Sequence, residues 1–148
     1  MKIELPPAEL MPSIETIHLM LVLSNGLKKK FSAAVMEASG LTLPEKEVLA
    51  KIYMSEGQIN MSDVSKTLMF TDGGTTKIIK RLNERGYITR QQSEDDRRVT
   101  LLNITDIGVE KLNKAFRAMD AIAYPLMKET YSDDELDTLY QLLSKIKL

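Results

Sequence analysis

Residues 94–108 read EDDRRVTLLNITDIG, and three kinds of local structure follow one another in them. Glu94 to Arg98 are all charged and make a solvated tip. Val99-Thr100-Leu101-Leu102-Asn103-Ile104 is rich in β-branched and aliphatic residues and reads as a strand. Thr105 then offers the hydroxyl that caps a helix, predicted to run to about Glu129 with a disturbance at Pro125. Upstream, Tyr87-Ile88-Thr89-Arg90 supplies a partner strand, so the charged tip closes a β-hairpin.

Before the hairpin, Thr71 is placed to cap a helix that runs to Arg85 and stops at Gly86, the usual left-handed terminator. At about 100° per residue, Thr75, Ile78, Ile79 and Leu82 fall on one side of it and face a core. Gly73, Thr76, Lys77 and Lys80 project from the other. Further upstream, Asn60 caps a brief helix with Met61, Val64 and Leu68 on one stripe, Ile59 makes a short strand and Gly57 a turn. Thr42-Leu43-Pro44-Glu45 has capping-box spacing for a helix whose inner stripe is Val48, Leu49, Ile52 and Tyr53.

The flanks are long and helical. A stretch from about Ser13 to Ala38 ends at Gly40, and within Ile17–Leu23 only His18 is polar, so this helix is apolar nearly all round and needs burial on more than one side. A chain this small has little interior to surround it, which makes a second subunit the natural partner. Ser132-Asp133-Asp134-Glu135 caps a last helix striped with Leu136, Leu139, Leu143 and Ile146. The fold class is therefore mainly α with a small β component (α+β): a winged helix-turn-helix with long N- and C-terminal dimerisation helices. The boundaries fall at 1–40 and 105–148 for the helical dimerisation region and 41–104 for the winged unit.

Composition narrows the function classes. The chain has 148 residues, 43% hydrophobic and 28% charged, which is ordinary for a globular protein with one core. It has no cysteine, which excludes disulfides, thiolate zinc and thiol redox sensing, and one histidine, which leaves metal sensing poorly supplied. No spacing singles out a catalytic set, so neither an enzyme nor a cofactor is expected. MKIELPPAEL lacks the order of a signal peptide, and Ile17–Leu23 is far short of the roughly 20 apolar residues of a membrane span, so a cytoplasmic protein is expected. The net charge of −1 hides an asymmetry: residues 64–90 carry a local charge of +4, while Glu129, Asp133, Asp134, Glu135 and Asp137 gather acid near the C-terminus. A basic middle fits a side that faces nucleic acid.

In element order and motifs the chain resembles the MarR (multiple antibiotic resistance regulator) family of winged helix-turn-helix transcription factors. LTLPEKEVLAKIY is similar to that family's second helix, TTKIIKRLNERGYI to its recognition helix and exit, and DDRRVTLLNITDIG to its wing. Asp96, Arg98, Thr105 and Gly108 stand at the family spacing, with Ile104 where leucine is more usual. The resemblance spans nearly the whole chain. It implies a homodimer on a pseudo-palindromic operator in double-stranded DNA, often a repressor, released when a small, frequently aromatic or amphipathic, effector binds. It also implies an effector pocket between the dimerisation helices and the winged unit. His18, Phe31, Tyr53 and Met69 are candidates to line it, the alternative being that each sits in the core.

The DNA-contacting residues follow from the helix face and the tip. Thr71, Asp72, Gly73, Gly74, Thr76, Lys77 and Lys80 occupy the N-terminal half of the recognition helix, the part placed against base edges in the major groove. Lysines there contact guanine or phosphate, and Thr76 a phosphate or a thymine methyl. Asp72 either complements the helix dipole or accepts from cytosine N4. Gly73-Gly74 weakens the helix by roughly 1 kcal/mol per glycine relative to alanine, but lets backbone N–H groups approach phosphate. Arg98 is the candidate for a minor groove, Arg97 for a phosphate unless it merely offsets Glu94 and Asp95, and Asp96 for holding the tip by bonding to an arginine. The alternative function is a winged helix used for protein contacts; such a surface needs exposed apolar anchors, which this one lacks.

Overall fold

The structure is a computed structural model, which describes residues 10–57, 59–68, 72–93 and 96–147. Helix α1 spans Met11–Ser39, with Pro12 at its start, where a missing N–H costs nothing. It ends at Gly40, whose φ of 71° reverses the chain while its N–H donates to the Met36 carbonyl at 2.8 Å. Helix α2 (Leu43–Met54) opens with the expected capping box: the Glu45 N–H donates to Thr42 Oγ1, and the Thr42 N–H to Glu45 Oε2 at 2.8 Å. Strand β1 (Ile59–Asn60) leads into α3 (Met61–Leu68), where Asn60 Oδ1 accepts the Asp63 N–H at 3.0 Å.

Helix α4 spans Asp72–Glu84. Its end is a Schellman motif: the Gly86 N–H donates to the Asn83 carbonyl and the Tyr87 N–H to that of Leu82, with Gly86 at a φ of 70°. Because Tyr87 is used in this cap, strand β2 begins one residue later than the sequence pattern suggests, and runs Ile88–Gln92. It pairs antiparallel with β3 (Thr100–Ile104), Ile88 opposite Ile104 and Gln92 opposite Thr100, and β1 pairs with the other edge of β3. Val99 belongs to the turn instead of the strand, its N–H donating to the Asp96 carbonyl.

Helix α5 spans Asp106–Thr130 behind its Thr105 cap, and α6 spans Asp133–Leu143, so Ile146 lies beyond the last helix. At Pro125, α5 continues as one element. The carbonyl deprived of its partner there belongs to Ala121, an exposed residue, so water can satisfy it. At the start of α6, the Ser132 backbone N–H and hydroxyl donate to Glu135 and hold its carboxyl below the usual carboxylate range.

The core is built by the central elements. Leu41, Val48, Leu49, Ile52, Val64, Ile79, Leu82, Ile88 and Leu102 are buried, while α1 adds Val35, α5 adds Leu112 and Ala115, and α6 adds no buried residue. Helices α1 and α5 pack on each other. Much of α1 still faces outward: Ile17, Leu19, Leu21, Val22 and Leu23 are each more than half exposed. Among the described residues no helix is long and apolar enough to cross a membrane.

Candidate nucleic-acid interface

Helix α4 has two chemically different sides, as its spacing suggests. Thr75, Ile79 and Leu82 are fully buried and Ile78 is nearly so, packed into the core with α2 and α3. Gly73, Thr76, Lys77 and Lys80 are exposed and Gly74 is half-buried. Lys80 lies 3.8 Å from Glu84 one turn on, with both side chains largely in solvent. Such a pair contributes less than about 1 kcal/mol, so a phosphate can take the lysine over at little cost. Asp72 is the first residue of α4, while Thr71 falls outside the described residues.

The wing tip is organised by Asp96. Its Oδ1 accepts the backbone N–H of Arg98 at 2.9 Å, its carbonyl accepts the Val99 N–H at 2.9 Å, and its own N–H meets Ser93 Oγ at 3.4 Å. The carboxylate thus holds the arginine through its main chain, leaving the guanidinium to the exposed surface. Aspartate is suited to this because its short side chain reaches a backbone two residues ahead. Arg97 is exposed beside it.

The wing base is set by two residues of the motif. Thr105 caps α5 by accepting the Gly108 N–H at 3.1 Å, and its hydroxyl donates to the Gly86 carbonyl at 2.7 Å. Gly108 is required because a Cβ there would stand 2.1 Å from the Tyr87 carbonyl oxygen. This close approach seats the first turn of α5 directly on the exit from α4. Family spacing alone singles out Gly108, whereas Thr105 is also marked as a cap; the fold supplies the physical reason for Gly108.

A second set escaped the reading of the sequence. Glu45 is 2% exposed, and Arg81 and Arg85 of the α4 end reach it at 3.7 and 3.6 Å. A buried carboxylate needs such partners. The signal was present, since arginines one turn apart share a helix face, but nothing in the spacing says which acid they meet. Lys46 is also buried, with its ammonium 5.0 Å from the Phe116 ring centroid and 2.7 Å from Glu47.

The described candidate effector residues lie on two helices, α1 and α2. His18 and Phe31 sit thirteen residues apart on α1, about 20 Å along its axis, with His18 exposed and Phe31 half-buried. Tyr53, expected on the inner stripe of α2, is instead 55% exposed and lines an open cleft of about 440 Å³ with Glu56, Gly57 and Asn103. Met69 lies outside the described residues.

A polar-faced helix following two shorter ones, then a hairpin with a charged tip, define a winged helix-turn-helix protein. Residues 39–99, from the end of α1 to the wing, match the model of the MarR family. The chain is 22% identical to YdgJ, an HTH-type transcriptional regulator of Bacillus subtilis, over 122 residues, 82% of this chain and 73% of that one. In fold it is similar to MepR of S. aureus in a complex with DNA, with a TM-score of 0.75 and 19% identity over 86% of this chain and 93% of that one. CouR of Rhodococcus jostii RHA1, bound to p-coumaroyl-CoA, has a TM-score of 0.72 and 22% identity over 84% and 86%.

Proposed function

We propose that this protein is a homodimeric repressor that binds a pseudo-palindromic operator and releases it when a small aromatic or amphipathic molecule binds. The observation that carries the DNA reading is the division of α4: its apolar residues are all spent on the core, so Gly73, Thr76, Lys77 and Lys80 are what it offers outward. In that role Thr71 to Lys80 enter the major groove, Lys77 and Lys80 meet phosphate or guanine, and Arg98 at the wing tip enters the minor groove. No apolar anchor stands among the described residues of that side of α4, which disfavours a protein-docking use.

Dimerisation through residues 1–40 and 105–148 is supported by the apolar surface of the outer helices. Ile14, Ile17, Leu21 and Val22 on α1 and Tyr140, Leu142 and Leu143 on α6 are exposed in the single chain. Burial of such residues is worth roughly 25 cal/mol per Å² removed from water, which a second subunit would supply. The winged unit is 41–104. Release by a small molecule is supported by the family and by the CouR complex with p-coumaroyl-CoA.

Titration of an operator duplex across a range of salt concentrations tests the contacts. Arg98→Ala is expected to weaken binding at least several-fold with folding and dimer mass intact, and parent-like affinity at physiological salt contradicts the minor-groove role. Lys77→Ala and Lys80→Ala are each expected to lower the slope of log K against log salt by about 0.9 if the lysine neutralises one phosphate. A slope equal to the parent's removes that role.

A further inference from the structure

The exit from α4 is gripped from two directions. On one side is the α1–α2 corner: Arg85 Nη2 donates to the Gly40 carbonyl at 2.9 Å and to the Tyr87 hydroxyl at 3.1 Å, while Nη1 stands 3.6 Å from Glu45 Oε2. The guanidinium also lies over the Tyr87 ring, 4.7 Å from its centroid. On the other side is the start of α5: Thr105 Oγ1 donates to the Gly86 carbonyl at 2.7 Å and the Thr105 N–H to that of Tyr87 at 3.0 Å.

The acceptors of Arg85 are fixed points. Glu45 is buried and already bound to the Thr42 N–H, and Gly40 is locked in its left-handed turn, where a Cβ would come within 3.4 Å of Arg85 Nη2. A planar guanidinium with several donors can satisfy a carbonyl, a phenol and a carboxylate together and stack on a ring; a lysine ammonium, a single point, cannot. Arg85 also lies eight residues beyond Lys77, about 12 Å along the helix from the half that faces DNA.

We infer that Arg85 is a positioning residue for DNA binding, a pin that fixes the C-terminal end of the recognition helix to the α1–α2 corner. The pin rests on the DNA reading above. Together with Thr105 it makes the end of α4 the point where both long outer helices hold the recognition helix. A change in the angle between α1 and α5 therefore moves α4 through Gly40–Arg85 and Tyr87–Thr105.

The test compares Arg85→Ala, Arg85→Lys and Glu45→Gln with the parent by two readouts. The first is operator affinity across salt; the second is amide hydrogen exchange in the DNA-free protein. Arg85→Ala is expected to lose affinity several-fold with the salt slope of the parent, and to exchange faster over both 40–45 and 85–88. Arg85→Lys is expected not to restore either property. Glu45→Gln keeps the capping box and removes the charge, so a smaller shift in the same direction is expected. If Arg85→Ala does not fold, the other two variants decide by the same readouts.

Parent-like exchange over both segments overturns the pin, whether or not the protein binds DNA. Faster exchange with parent-like affinity overturns the positioning role. A salt slope lowered by about 0.9 reassigns Arg85 as a phosphate contact and also overturns it. Failure of the parent to prefer any DNA sequence overturns the proposed function and leaves the exchange result to judge the pin alone.

Discussion

At the wing tip the role of Asp96 is set by a single backbone hydrogen bond. Two hydrogen-bonding modes satisfy the idea that this residue holds an arginine, one through the guanidinium and one through the main chain, and the fold uses the second. The distinction has a measurable consequence. Asn keeps an oxygen where Asp96 Oδ1 accepts and gives up the charge, so Asp96→Asn is expected to retain operator affinity within about two-fold, well under 1 kcal/mol, whereas Asp96→Ala loses several-fold. Equal losses in the two variants, measured by the same titration, would show that the charge, and hence an ion pair, is what matters. The Asp96 role was half legible in the sequence: the residue stood out by spacing, but the choice of partner depends on a turn whose dihedrals no pattern encodes. The pair Glu45 and Arg85 was not legible, because its members stand forty residues apart and meet only once α4 has docked on α2.

Among the elements, those that announce themselves by chemistry at their ends fell close to where the sequence put them. Thr42, Thr105 and Ser132 all cap as their spacing implies, and Gly40 and Gly86 both terminate helices with positive φ. The elements that shifted did so where a competing use of the backbone wins. Tyr87 gives its N–H to the α4 cap and its carbonyl to Thr105, and β2 then extends through Gln91 and Gln92, whose polar side chains carry no strand signal but whose backbones pair with β3. At the junction of α5 with the base of the wing, Gly108 lies against the Tyr87 carbonyl with no room for a Cβ. Gly108→Ala is expected to destabilise the fold by about 1–3 kcal/mol, the usual cost of forcing atoms into a filled space. An unchanged melting temperature would mean that the first turn of α5 has room to move away from Tyr87.

For the whole molecule, the outer helices and the winged unit divide the surface by chemistry. Among the described residues, apolar side chains stand exposed along α1 and α6, and polar and basic ones along the outward side of α4. The proposed two-fold dimer would cover the first set and present the second twice, about one turn of DNA apart. What the sequence could not disclose at this scale is the effector site, because His18 and Phe31 stand about 20 Å apart along α1 and no spacing says what closes around either. The same symmetry supplies the most direct test of DNA recognition. Selection of fragments bound by the full chain from a random DNA library is expected to enrich a pseudo-palindrome whose half-sites lie about 10 base pairs apart, centre to centre. Recovery of no preferred sequence, or of one unrepeated half-site, would contradict it.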